Sequence, residues 1–289
     1  MTEAEASRRG PGISPGRARR LAYQRGQRRR SLLIGAVSTL VVFGVVTLVV
    51  VNSPGWPTVK ESFFSWEDFK ASFPEILTGF GRNIRIFLIA EVFILIVALI
   101  VAIIRSTRSP LLTPLRLAAT AYVDLIRGIP TIILLFLLGF GVPALRLQGV
   151  PNSQEFWAIT TLVISYSAYV AEVYRAGIES VHESQTAAAR SLGLSSAQSM
   201  RWVVLPQAVR RVIPPLLNDF VALQKDSALL ALLGVQEAFR RAQIYVAGTF
   251  NFTAYLAAAL LFLIFTIPLA RFTDYLIRRQ RERVAGTSL

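Results

Sequence analysis

The 289-residue sequence has no cysteine, one histidine, and only 17 acidic residues against 31 basic ones. Without cysteine there is no disulfide framework, no thiolate metal site and no cysteine nucleophile. The lone His182 excludes the paired-histidine zinc motifs and sits in a loop that offers no Ser–His–Asp constellation. A phosphate-cradling loop needs Gly-Lys-Ser/Thr. None of Lys60, Lys70 and Lys225, the only lysines, follows a glycine. The chain is therefore expected to carry no catalytic residue, no metal and no nucleotide cofactor of its own.

What is abundant is apolar. The chain is 53% hydrophobic with a mean hydropathy of +0.51, too apolar for an ordinary soluble domain. A net charge of +14 is also what a nucleic-acid binder shows, but here the arginines cluster in the first thirty residues and in short segments between apolar runs. That is how topology signals are distributed, and no nucleic-acid partner is expected.

Residues 1–31 mix nine arginines with Gly, Pro, Ser and Ala and predict a disordered basic tail. Residues 32–51 are uncharged and long enough for one crossing. Residues 52–75, with two tryptophans, predict an amphipathic linker at the interface, and Ser72–Glu75 suits the start of a helix. Further crossings are predicted near 83–104, 117–140, 156–181, 212–237 and 252–277, making six, with 280–289 as a terminal tail. Arg127-Gly-Ile-Pro130 interrupts the third, where Asp124 sits one turn before Arg127. Of the 31 Lys and Arg, 22 lie in the N-terminal tail, the 105–128 and 175–211 loops and the C-terminal end; six lie in the alternate loops. The positive-inside rule then puts both termini and the 175–211 loop in the cytosol.

Two polar stretches stand out. In 156–181, Ser165, Tyr169, Glu172 and Glu179 share a narrow arc at 100° per residue. In 212–237, Asn218, Asp219, Lys225 and Asp226 share an arc of roughly 120°. Such groups in a membrane helix need an aqueous cavity or partners on neighbouring helices, so they either line a route or form a buried ion-pair network. Glu91 is a lone carboxylate in an apolar span, facing the protein interior or snorkelling to the interface.

The segment Ser180–Pro215 is not apolar. Ala187-Ala-Ala-Arg-Ser-Leu192 is a strong helix former, Gly193 suits a left-handed helix end, and Ser195–Val204 predicts a second helix stopped by Pro206. Ala188-Ala189-x-x-x-Gly193, nine residues, then Val203-x-Leu205-Pro206 resembles the EAA loop of ABC importer permeases. Tyr169–Val181, Leu205–Pro215, Asn218-Asp-Phe220, Lys225-Asp-Ser227 and Arg127-Gly-Ile-Pro130 are similar to the polar-amino-acid branch. The likeness runs from about Ile76 to Arg279. The family's glutamate falls on Ala187, so the role of that carboxylate is missing here or supplied elsewhere.

The resemblance implies an all-α integral membrane protein: a five-helix permease core over 76–279 with one extra N-terminal helix. It implies a subunit of an ATP-driven importer of polar amino acids (glutamate, glutamine or basic) in the cytoplasmic membrane of a prokaryote. Ala187, Ala188, Ala189, Arg190, Gly193, Leu205 and Pro206 would couple it to a separate ATP-binding cassette dimer, which binds the ATP. A second permease subunit, identical or homologous, an extracytoplasmic substrate-binding protein and membrane lipid complete the expected partners. Asn218, Asp219, Lys225, Asp226 and Glu172 are the candidate route. Two other classes remain: an ion- or proton-coupled secondary transporter, which should show inverted repeats, and a membrane-anchored scaffold.

Overall fold

The computed structural model describes residues 15–107 and 109–285. It divides into two compact units, one ending at Glu61 and one beginning at Ser62.

The first unit is dominated by helix α1, Pro15–Val51. Every side chain from Arg30 to Val51 is exposed, as befits a span that meets lipid, and Arg30–Val51 is apolar and long enough to cross a bilayer. The helix corrects the expectation of disorder over 15–31, for it reaches back to Pro15. Arg, Ala, Leu and Gln are good helix formers, and Pro is tolerated in a first turn. Residues 1–14, and 286–289 of the terminal tail, lie outside the described residues.

Helix α2 (Trp56–Phe63) lies mostly in the first unit. In the second unit, α3 (Trp66–Ser106) is capped by Ser65, whose hydroxyl accepts from Asp68 N at 3.2 Å. The last part of the expected 52–75 linker, from Trp66 on, thus belongs to α3. Pro74 lies inside α3, which has 41 residues and a length of roughly 60 Å, about twice a hydrocarbon core. Stacked Trp66, Phe69 and Phe73 support its first turns. The Asp68 carboxylate accepts from Tyr245 Oη at 2.8 Å and Asn251 Nδ2 at 2.9 Å, pinning this end of α3 to the later helices. Burial, with the nearby Asp68 carboxylate, pushes the Tyr245 phenol up.

Next come α4 (Thr113–Gly128), α5 (Thr131–Phe136), a π-turn at Leu137–Gly141 and α6 (Val142–Ala144). Arg127-Gly-Ile-Pro130 does break this crossing: the two halves meet at 105°, because Pro130 disfavours the α conformation at Ile129, which is extended. α7 (Gln154–Glu179) is a single unbroken helix long and apolar enough to span. It packs on α3 through Ala90, Ile94 and Ala98 against Ala158, Leu162, Ala168 and Ala171, all buried. Small residues let membrane helices approach closely, and dispersion rather than transfer from water holds them.

After α8 (Glu183–Ser191) the chain runs through α9 (Ser196–Ser199), a π-turn (Met200–Val204) and α10 (Leu205–Asp226). A 3₁₀ stretch, Ser227–Leu233, ends at Gly234 with φ +82°. Then follow α11 (Ala238–Thr249) and α12 (Thr253–Ala285). A second core joins Ile76 and Phe80 of α3 to Ala238 and Ala242 of α11 and Ala254 and Ala257 of α12. Gly79 is what permits this: a Cβ there would lie 2.7 Å from Ala238 N.

Among the described residues, four helices are long and apolar enough to span, or five if the bent pair counts as one. The chain is all-helical, as expected, but the predicted 212–237 crossing is not one apolar helix. It starts seven residues earlier, carries Pro214 and Pro215 inside, and gives way at Ser227 to the tighter 3₁₀ form.

Candidate functional site

The loop between α7 and α10 is built by local chemistry. His182 Nδ1 accepts from Ser184 N at 3.2 Å and so caps α8. At the other end, Gly193 N donates to Arg190 O at 3.0 Å and Leu194 N to Ala189 O at 3.2 Å, the Schellman closure, with Gly193 at φ +85°. Ser195 and Gln198 form a reciprocal capping box that restarts the helix at once. Pro206 does not stop it. The π-turn ahead of it, with Leu205 N bonded to Met200 O, widens the helix where a proline ring would clash with the preceding turn.

Within this loop Ala189 is buried, while Ala187, Ala188, Arg190, Gly193, Leu205 and Pro206 are exposed. Leu192 is 84% exposed and Trp202 65%, an apolar pair on a charged surface. Beneath them Val181, Val204 and Ala208 form a small core against Ile178, and Arg211 Nη1 bonds Ser180 Oγ at 3.0 Å. Ala187 thus stands exposed and carries no carboxylate to the loop surface.

The candidate route residues separate into three environments. Asn218 and Lys225 share one exposed face of α10. Asp226 turns inward and accepts from Tyr166 Oη at 2.7 Å. Asp219 also faces inward; its Oδ2 is buried with no hydrogen-bond partner among the described residues. Lys225 makes no ion pair with either aspartate. A Lys–Asp ion-pair network within α10 is therefore not what holds this helix, and Glu91 is half-buried.

Glu172 is elsewhere, in a cluster of arginines. It accepts from Arg105 Nη1 at 2.8 Å and from Arg175, and Arg127 Nη1 approaches to 4.0 Å. Arg175 also bonds Glu179 at 2.6 Å. The polar arc of α7 meets the broken α4–α5 pair: Ser165 and Thr131 hydroxyls bond at 2.9 Å, and Tyr169 Oη donates to Arg127 O at 3.4 Å. Arg127 stacks over Tyr169 and lies beside Glu172; it does not pair with Asp124, whose position on α4 points it outward.

Sequence reasoning missed a second polar knot. Asn83, fully buried, donates from Nδ2 to Ser227 Oγ at 3.0 Å and to Glu237 Oε2 at 2.9 Å, and accepts from Ala238 N. Glu237 caps α11 by accepting from Phe239 and Arg240 backbone amides. Buried Gln224 accepts from Thr266 of α12 at 2.7 Å. The available signals were an asparagine inside an apolar span and a glutamate three residues past Gly234.

Known proteins match this chain in the same region. The family model described as "binding-protein-dependent transport system inner membrane component" covers residues 111–282. A probable glutamine ABC transporter permease protein, GlnM of Bacillus subtilis, is 37% identical over 212 residues, 72% of this chain and 94% of that protein. A probable amino-acid permease protein of the same organism, YxeN, is 34% identical over 70% of this chain and 89% of its own length. Among solved structures, an amino acid ABC transporter with histidines superposes with TM-score 0.66 at 30% identity, covering 71% of this chain and 94% of that chain. The MetNI methionine ABC transporter shares the fold, with TM-score 0.58 at 19% identity. With a family match over more than half its length and several helices long and apolar enough to cross a membrane, the chain belongs to the inner membrane components of binding-protein-dependent transport systems.

Proposed function

We propose that this chain is the permease subunit of an ATP-driven importer of polar amino acids of the glutamate, glutamine or basic class, and is itself no enzyme. The observation that carries this is the helix from Ser196 to Asp226, which joins the exposed loop directly to the face bearing Asn218 and Lys225. An ATPase pair seated on Leu192 and Trp202 would act on that face through one element. Each permease supplies one such face, so a second permease subunit, identical or homologous, would complete the route, and an extracytoplasmic binding protein would deliver substrate to it. The distribution of Lys and Arg supports placing the loop and both termini in the cytosol.

The test is uptake of labelled glutamine, glutamate and arginine into vesicles holding the chain with its ATPase and binding protein. Uptake that requires internal ATP supports the reading; uptake of equal rate without ATP defeats it in favour of a secondary transporter. Because the chain has no cysteine, Ser184→Cys introduces a unique thiol. In intact cells it should resist a membrane-impermeant maleimide, and labelling from outside would reverse the topology.

A further inference from the structure

Far from the Ser180–Pro215 loop, α3 and α11 assemble a group of arginines that the transport reading does not use. Thr78, Gly81, Arg82, Arg85, Gln236 and Arg241 line a pocket of ≈ 220 Å³. Glu155 pairs with Arg85 and lies 3.8 Å from Arg82 Nε, and Glu75 pairs with Arg241 at 2.6 Å. Two carboxylates thus face three guanidiniums. Arg241 Nε is buried with no hydrogen-bond partner, and Arg85 keeps 58% of its side chain exposed. Gly81 leaves open space where a side chain would stand.

The depth and the neighbours indicate the ligand. Arg82 and Arg105, both on α3, are 23 residues or roughly 35 Å apart along the axis, about a hydrocarbon thickness plus a headgroup margin. Between them Leu88, Val92, Ile96, Leu99 and Ile103 follow Arg85 at helical spacing, each at least half exposed. A phosphate in the pocket and acyl chains along this stripe would satisfy both halves of the surface, whereas a soluble oxyanion has no use for the stripe.

We propose that the Arg82–Arg85–Arg241 pocket binds the phosphate of an anionic phospholipid, in the leaflet away from the Ser180–Pro215 loop, with its chains against Leu88–Ile103. This rests on the chain crossing the membrane and not on which solute it moves.

The test uses the full chain, assembled with its partner subunits in phosphatidylcholine vesicles. Spin-labelled phosphatidylglycerol is compared with spin-labelled phosphatidylcholine, and the motionally restricted fraction gives their relative association. Phosphatidylglycerol should be preferred about five-fold or more. Arg82→Gln/Arg85→Gln should bring the ratio near one. Glu155→Gln, which frees both guanidiniums, should raise it, so the proposal is still tested if the double variant fails to fold. Arg271→Gln on α12 should leave it unchanged. An equal ratio in wild type and Glu155→Gln would overturn the proposal. So would loss of the preference on adding inorganic phosphate at ionic strength matched with chloride, which would assign the pocket to a soluble oxyanion.

Discussion

Tyr166 of α7 donates a 2.7 Å hydrogen bond to Asp226 Oδ2 at the last turn of α10, leaving Lys225 next to it exposed and unpaired with that carboxylate. The two neighbours therefore do different jobs. Lys225→Met strands no carboxylate, so the complex should assemble with unchanged yield and melting temperature while uptake falls at least ten-fold. Tyr166→Phe should instead lower stability by about 1.5–3 kcal/mol, the range for a hydrogen bond to a charged group. Thermal melts of both purified variants, with uptake in vesicles, decide it. A Lys225→Met variant that assembles poorly would show a partner for this lysine.

Glu172 ties α3 to α7 through Arg105, whose side chain is only 9% exposed. Glu172→Gln leaves a nearly buried guanidinium without its charge partner, and the expected loss is roughly 3 kcal/mol. Arg105→Met in the same background should recover much of it. Melting temperatures of the single and double variants measure this, and equal melting in wild type and Glu172→Gln would mean the cluster holds nothing together.

Gly193→Val places a β-branched residue at φ +85°, which L residues adopt only with strain. The loop tip should be displaced without loss of the membrane helices. Substrate-stimulated ATP hydrolysis should fall severely while basal hydrolysis and membrane levels persist. Ala187→Glu meets open surface and should be tolerated; an inactive Ala187→Glu would mean that this loop seats differently from its relatives.

Gly79→Val tests the second core. Because the obstacle is the Ala238 backbone, no side chain can swing away, and overpacking of this kind costs typically 1–3 kcal/mol. Membrane levels and melting temperature should both fall; Gly248→Ala, facing open space on α11, serves as the control.

Much of this was legible in the sequence because it rests on residues with few conformational options. Gly193 fixed the end of α8, and Pro130 fixed the break after α4. Pro74 and Pro206 are read the other way: proline suggests a helix start or stop, yet a capped and stacked α3 tolerates one and a π-turn accommodates the other. The 212–237 crossing failed differently. Ala228–Leu233 is a short apolar run, and periodicity alone does not tell a 3₁₀ segment from the end of an α-helix. The partners of Glu172 and Asp226 were invisible because Arg105 and Tyr166 lie 67 and 60 residues away in the chain.

At Gly177 the backbone of α7 passes so close to α10 that any side chain there would run into Val212. That pinch divides α10 and its extension into two arms. Met200 lies 12 residues to one side and Lys225 13 to the other, about 18 and 20 Å. A helix moving as one piece would pivot at Gly177–Val212, and Pro214 and Pro215 put its softest joint beside that point. With that joint held straight, a tilt of about 10° at the loop would carry the Lys225 end by roughly 3 Å in the opposite sense; bending at the two prolines would take up part of it.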